Sequence, residues 1–146
     1  VDELCNSFLN NSRKLVVISN FSSSTYGNQI LKKYSGVENI VLINGLYNKP
    51  ELDLIRRNCK AYIHTHTLCG TAPSLVEMII ARRPIISIDI PQNRFTLHNE
   101  GAYFTTFEQL KEFLGVQPNF DEFIPSKEIC DLYHWQKIVD DYEKLF

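Results

Sequence analysis

Two histidines one residue apart precede a turn of small and hydroxyl-bearing residues in the run Ala61-Tyr-Ile-His-Thr-His-Thr-Leu-Cys-Gly-Thr-Ala-Pro-Ser-Leu-Val-Glu77. The chemistry such a run could do is anion binding. A β-branched and aromatic stretch breaks at Gly70 and re-forms as an amphipathic helix, and the start of a helix offers unbonded backbone N–H groups and partial positive charge. Gly70 would let a phosphate approach the backbone closely, while Pro73 suits a first helical turn whose N–H would otherwise be spare. The plain alternative is an ordinary strand-to-helix turn. No Gly-Lys-Ser/Thr follows, so this is not a P-loop, and no G-x-G-x-x-G is present.

The carboxylate of Glu77 could accept hydrogen bonds from a ribose diol. Ser74-Leu-Val-Glu77 is also the spacing of a capping box, and spacing alone favours the cap. His64 and His66 alternate as strand residues do, which puts both on one side at the strand end. A metal would need a third and a fourth ligand at convincing spacing, and none is found. Hydrogen bonding to a sugar or phosphate, or orienting the loop, suits the pair better. Asp89, Asn93 and Arg94 follow a later strand on the same edge, where turn capping is the plain alternative.

The elements that must position these residues alternate. Apolar runs at Leu15–Ser19, Asn39–Ile43, Lys60–His64, Pro84–Asp89 and Ala102–Thr105 read as strands, the first two as strands buried on both faces. Helical spacing lies between them: Ile30, Leu31 and Tyr34 up to Gly36, a helix opening at Pro50, one from Pro73 to about Arg82, and one from Thr106 to Leu114. Pro91 to Glu100 reads as a connection. The fold class is therefore α/β, a doubly wound, mostly parallel, Rossmann-like sheet. Ile129, Leu132, Trp135, Ile138, Val139, Tyr142 and Leu145 recur at three- and four-residue intervals, which predicts one long C-terminal helix. The opening Val1 to Asn10 reads like the tail of a helix, as in a domain cut from a longer protein.

Composition narrows the partners. The 146 residues are 44% hydrophobic and 22% charged, with a formal net charge of −2. That balance argues against a nucleic-acid partner, which asks for a concentrated basic face. Arg56-Arg57 and Arg82-Arg83 read as solvated helix ends. Cys5, Cys59, Cys69 and Cys130 show neither a C-x-x-C pair nor regular spacing, so a reduced, cytoplasmic chain is the simpler reading. No apolar run reaches the roughly 20 residues that span a bilayer.

The pattern His64-x-His66-x-x-Cys69-Gly70-Thr71-x-Pro73-Ser74-Leu75-x-Glu77 resembles the donor-site signature of a bacterial glycosyltransferase group that includes rhamnosyltransferases of capsule and polysaccharide assembly. Asn44-Gly-Leu-Tyr47, Pro84 through Asp89 with Asn93, and Tyr133-His-Trp-Gln-Lys-Ile-Val with Tyr142 fit the same group in order along nearly the whole chain. The resemblance implies residues 1–146 form the C-terminal, donor-binding half of a retaining, two-domain GT-B enzyme, the acceptor half lying outside this sequence. It implies that Gly70, Thr71 and Ser74 hold the donor diphosphate, that Glu77 holds the ribose, and that His66 and Asn93 approach the sugar or phosphates. It names no catalytic residue. It implies a nucleoside diphosphate sugar as donor, a polysaccharide or lipid-linked saccharide as acceptor, no metal or other cofactor, and a cytoplasmic enzyme that associates peripherally with the inner membrane face.

The sequence departs from the wider retaining group in two places. Cys69 stands where the wider group often has Glu, and Ser22 to Tyr26 carries no cation, Lys32 and Lys33 being the nearest. Both features also suit a non-catalytic binding module of the same fold. An epimerase or phosphorylase of related architecture is a third reading.

Overall fold

The computed structural model describes residues 1–68 and 70–145. They form an α/β protein in which every strand pair is parallel. The chain divides into two compact units, one built from residues 1–53 and 106–118, the other from residues 54–105 and 119–145.

The first unit begins with α1 (Asp2–Phe8), followed by β1 (Leu15–Ser19), α2 (Thr25–Tyr34), β2 (Ile40–Asn44), the opening of α3 (Lys49–Asn58), and α6 (Phe107–Gly115). β1 and β2 pair from Leu15↔Ile40 to Ser19↔Asn44. Leu4, Phe8, Leu15, Phe21, Ile30, Tyr34, Ile40, Leu110 and Leu114 are buried here. Polar side chains tie the elements: the Tyr34 hydroxyl lies 2.7 Å from Asp2 Oδ1, and Lys33 Nζ donates to the same oxygen at 2.7 Å. Ser24 caps α2, its Oγ accepting from the Gly27 N–H at 3.0 Å. Gly27 then has to be glycine, because a Cβ there would stand 1.9 Å from the carbonyl oxygen of Phe21.

These strands are not buried on both faces as their composition implies. Val16 and Val41, partners in the register, are 42% and 36% exposed. A two-stranded pair has no inner strand, so apolar β-branched residues here report β-propensity rather than full enclosure.

The second unit contains β3 (Tyr62–His64), α4 (Pro73–Ile80), β4 (Ile85–Ile88), α5 (Pro91–Thr96), β5 (Ala102–Phe104), α7 (Lys127–Leu132) and α8 (Trp135–Glu143). Its sheet runs β3-β4-β5, with His64 paired to Ser87 and Ile88 to Phe104. β4 is the inner strand, and Ile85, Ile86 and Ser87 are all buried. The core packs Leu75, Met78 and Ile79 of α4 with Ile85, Leu97, Ile129 and Cys130.

Two expectations are corrected in this unit. The segment after Pro91 is not a plain connection: Pro91 is the first residue of α5, which then buries Asn93 and Thr96. The closing segment is two helices rather than one long one. The Tyr133 hydroxyl donates to the carbonyl of Thr96 at 2.9 Å, and His134 is extended at φ −66, ψ 133. The tether and the extended residue end the first helix, and the apolar spacing resumes in a second that buries none of its residues.

Candidate functional site

The histidines stand where β3 runs out. His64, the last residue of the strand, is 1% exposed, and His66, two residues on, is exposed. Their rings meet edge to face with centroids 5.0 Å apart, so the alternation does put both on one side. Burial, helped by the neighbouring His66, pushes the His64 pKa down to about 4. The ring is therefore neutral at neutral pH.

A polar chain leads from this ring to α4. Tyr62, two residues earlier on β3, places its hydroxyl 3.2 Å from His64 Nδ1 and donates to Ser74 Oγ at 3.1 Å. The Tyr62 oxygen thus links His64 Nδ1 to Ser74 near the start of α4. The other ring nitrogen, His64 Nε2, is buried and has no hydrogen-bond partner. A buried polar atom without a partner costs about 1–3 kcal/mol, so it requires a reason.

A second such atom belongs to Asn93. This side chain is fully buried on α5, and its Nδ2 donates to the carbonyls of Ile88 at 3.1 Å and His66 at 3.3 Å. It thereby fixes the end of β4 to the loop that follows β3. Its Oδ1 is buried without a partner. Asn93, expected from the sequence to approach the sugar or phosphates, holds through Nδ2 the backbone that carries His66.

The turn itself has room. Gly70 and Thr71 are exposed, and a Cβ on Gly70 would meet no atom within 4 Å. Pro73 is the first residue of α4, as read from the sequence, and the helix N-cap is Ala72, whose carbonyl receives the N–H of Leu75 and of Val76. Cys69 lies outside the described residues.

That N-cap overturns the capping box. Ser74 is the second residue inside α4 and not its cap, so the spacing to Glu77 no longer describes a box. The Glu77 carboxylate is ion-paired with Arg56 of α3. Arg56 was read as a solvated helix end, yet its side chain is only 20% exposed and sits against the second turn of α4. The neighbouring pair Arg82-Arg83 is engaged too, Arg83 Nη1 donating to the carbonyl of Arg57 at 3.0 Å.

The other charges near the strand ends are committed. Arg94 clamps Asp89 with two bonds of 2.5 and 2.7 Å and lies over the Tyr103 ring at 4.1 Å. Lys33 is bonded to Asp2 in the first unit. Among the described residues no group of three or more His, Cys, Asp and Glu converges as metal ligands, and no helix is long and apolar enough to cross a membrane.

The structure thus brings His64, His66, Ser74 and Asn93 into one connected set, while the Glu77 carboxylate pairs with Arg56. Sequence reasoning missed Tyr62 and Arg56. Tyr62 was findable, since it shares the period-2 face of His64; Arg56 was not, since its partner lies 21 residues away. Family models, curated proteins and solved structures, compared with this chain, give no match.

Proposed function

We propose that this chain is the nucleotide-sugar-binding domain of a GT-B glycosyltransferase of the retaining, rhamnosyltransferase-like kind, a doubly wound half that serves polysaccharide or lipid-linked saccharide assembly. The observation that carries the reading is the pair of buried, unpartnered polar atoms, His64 Nε2 and Asn93 Oδ1, at the carboxyl ends of parallel strands, the first of them one hydroxyl removed from the start of α4. Ligands of open α/β sheets bind at such strand ends. A neutral imidazole nitrogen and an amide oxygen suit hydroxyl groups, which both donate and accept and which a sugar supplies, and the adjoining helix start suits a diphosphate.

In this reading Gly70, Thr71 and Ser74 take the diphosphate, and Arg56 supplies the cation that the serine-rich loop after β1 lacks. Glu77 takes the ribose while sharing its carboxylate with Arg56. The domain by itself binds; developing charge on the leaving diphosphate is stabilised by fixed N–H groups, with no metal and no bound cofactor required of these residues. Acceptor saccharide and inner-membrane contact belong to the complete enzyme.

Calorimetric titration of the chain with UDP, dTDP and GDP tests this. One nucleotide should bind, and Glu77→Ala should weaken it by roughly tenfold, the loss of about 1.4 kcal/mol, with little loss of stability because the Arg56 pair is exposed on the Glu77 side. No heat with any of the three would sink the reading. Binding untouched by Glu77→Ala would remove the ribose role alone. The commitment of Asp89, Arg94 and Glu77 to protein partners favours a second reading, a non-catalytic module of this fold, which predicts the first of those outcomes.

A further inference from the structure

The first unit has its own strand ends, and they are built differently. From Leu15 to Leu31 and from Asn39 to Asn48 the sequence contains no charged residue. The loops after β1 and β2, which fall in these stretches, are laced together: Asn44 Oδ1 accepts from the Ser22 N–H at 3.1 Å, Asn44 Nδ2 donates to Ser22 Oγ at 2.8 Å, and the Gly45 N–H reaches the Ser19 carbonyl at 3.0 Å. On this frame Tyr47 stands 79% exposed.

An exposed tyrosine ordinarily samples several rotamers, but this one is held at two points. Its hydroxyl donates to Asn20 Oδ1 at 2.5 Å. Its ring edge lies against Gly45, whose φ of +65 favours glycine and where an added Cβ would come within 3.2 Å of Tyr47 Cε2. A fixed aromatic plate bordered by amide and hydroxyl groups is amphipathic in the way a pyranose is, with one C–H face for the ring and hydroxyls around the edge for Asn20, Asn44 and Ser22. The lack of charge disfavours a phosphorylated or carboxylated ligand, whose desolvation nothing here would repay.

The geometry points to a carbohydrate-binding site on this rim, in which the face of an uncharged pyranose stacks on Tyr47 and its hydroxyls bond to Asn20, Asn44 and Ser22. The site does not depend on the donor reading, since every residue in it belongs to the first unit.

The test is a titration of the ¹⁵N-labelled chain with methyl α-glucoside, methyl α-galactoside and methyl α-rhamnoside, followed by amide shifts. At least one glycoside should move Ser22, Gly45 and Tyr47 while leaving Thr71 and Ser74 still. Tyr47→Ala should abolish the shifts, and Asn20→Ala, which removes both the tether of the ring and one proposed sugar contact, should weaken binding by roughly tenfold. Uridine, thymidine and guanosine form the control arm. Shifts with nucleosides alone, shifts that survive Tyr47→Ala, or silence with all three glycosides at their solubility limit would each overturn the proposal. UDP shifts at Thr71 and Ser74 report separately on the donor reading.

Discussion

Both units end their parallel strands in loops, yet the two sets of loops settle their polar groups in opposite ways. In the first unit Asn44 and Ser22 exchange two bonds in the open, where water would have served as well. In the second, Asn93 is sealed from solvent, spends both N–H groups on carbonyls, and leaves Oδ1 without a partner, as His64 leaves Nε2. The same residue type is a surface lace in one place and an interior strut with an unmet acceptor in the other. Unmet buried acceptors are expensive and rare, whereas exposed laces contribute little to stability. The contrast places the unmet polar atoms in the second unit and a neutral, laced surface in the first.

The sharpest way to break that contrast is through the glycines, which have opposite surroundings. Gly27→Ala puts a Cβ where the Phe21 backbone carbonyl already stands, with no flexible side chain to yield. It should cost about 4–5 kcal/mol, in the exceptional range for one substitution, and calorimetric melting or a denaturant midpoint will show it. Gly70→Ala meets open space and should change stability by less than about 0.5 kcal/mol, although it sits in the turn proposed to hold phosphate. Equal losses at the two positions would mean that the turn of the second unit is as tightly packed as the start of α2.

Protonation separates the two sets of loops next. The His64 pKa falls from 6.5 to about 4 in the folded chain, chiefly through burial. Between those values the unfolded chain binds more protons, so stability is complete above about 6.5 and is lost as the pH falls toward about 4. The loss should approach roughly 3 kcal/mol. Urea midpoints across this window, measured beside His64→Phe, check it: the substitution should flatten the slope whatever it does to the absolute stability. Asp2 and Asp89 lose their partners only at lower pH, because Lys33 and Arg94 hold their carboxyls below the ordinary value. The rim of the first unit carries no charged residue from Leu15 to Leu31 or from Asn39 to Asn48.

How much of this the sequence disclosed follows from how local each cause is. All five strands and the helices at Thr25–Tyr34, Lys49–Asn58, Pro73–Ile80 and Phe107–Gly115 were legible, since each rests on periodicity within its own window. The α5 helix was hidden because Pro91-Gln-Asn-Arg-Phe-Thr96 has too short a pattern to register. Pro73 as the first helical residue was legible from proline chemistry, and the pairing of His64 with His66 from strand alternation. The fate of Glu77 was not. Whether a carboxylate caps its helix or pairs with Arg56 is decided by a residue distant in sequence, and spacing is blind to that. Asn93 was singled out from its place after a strand, whereas its burial is a tertiary fact that spacing does not disclose.

The closing segment carries the last and smallest test. Its apolar residues keep helical spacing from Ile129 to Leu145, and on sequence they form one face. The fold divides that face by function: Ile129 and Cys130 of α7 are 5% exposed and enter the core, whereas Trp135 and Tyr142 of α8 are 76% and 66% exposed. Hydrophobic stabilisation follows the area removed from water, so identical periodicity carries very different weight on the two sides of Tyr133. Ending the chain after His134 should therefore cost less than about 1 kcal/mol, measured as a shift in the urea midpoint with little change in slope. Ile129→Ala, a single residue on the other side of the break, should cost about 2–4 kcal/mol. If the truncation proved the more damaging of the two, the exposed face of α8 would have to be stabilising the fold, and α7 and α8 would not differ as core helix and surface helix.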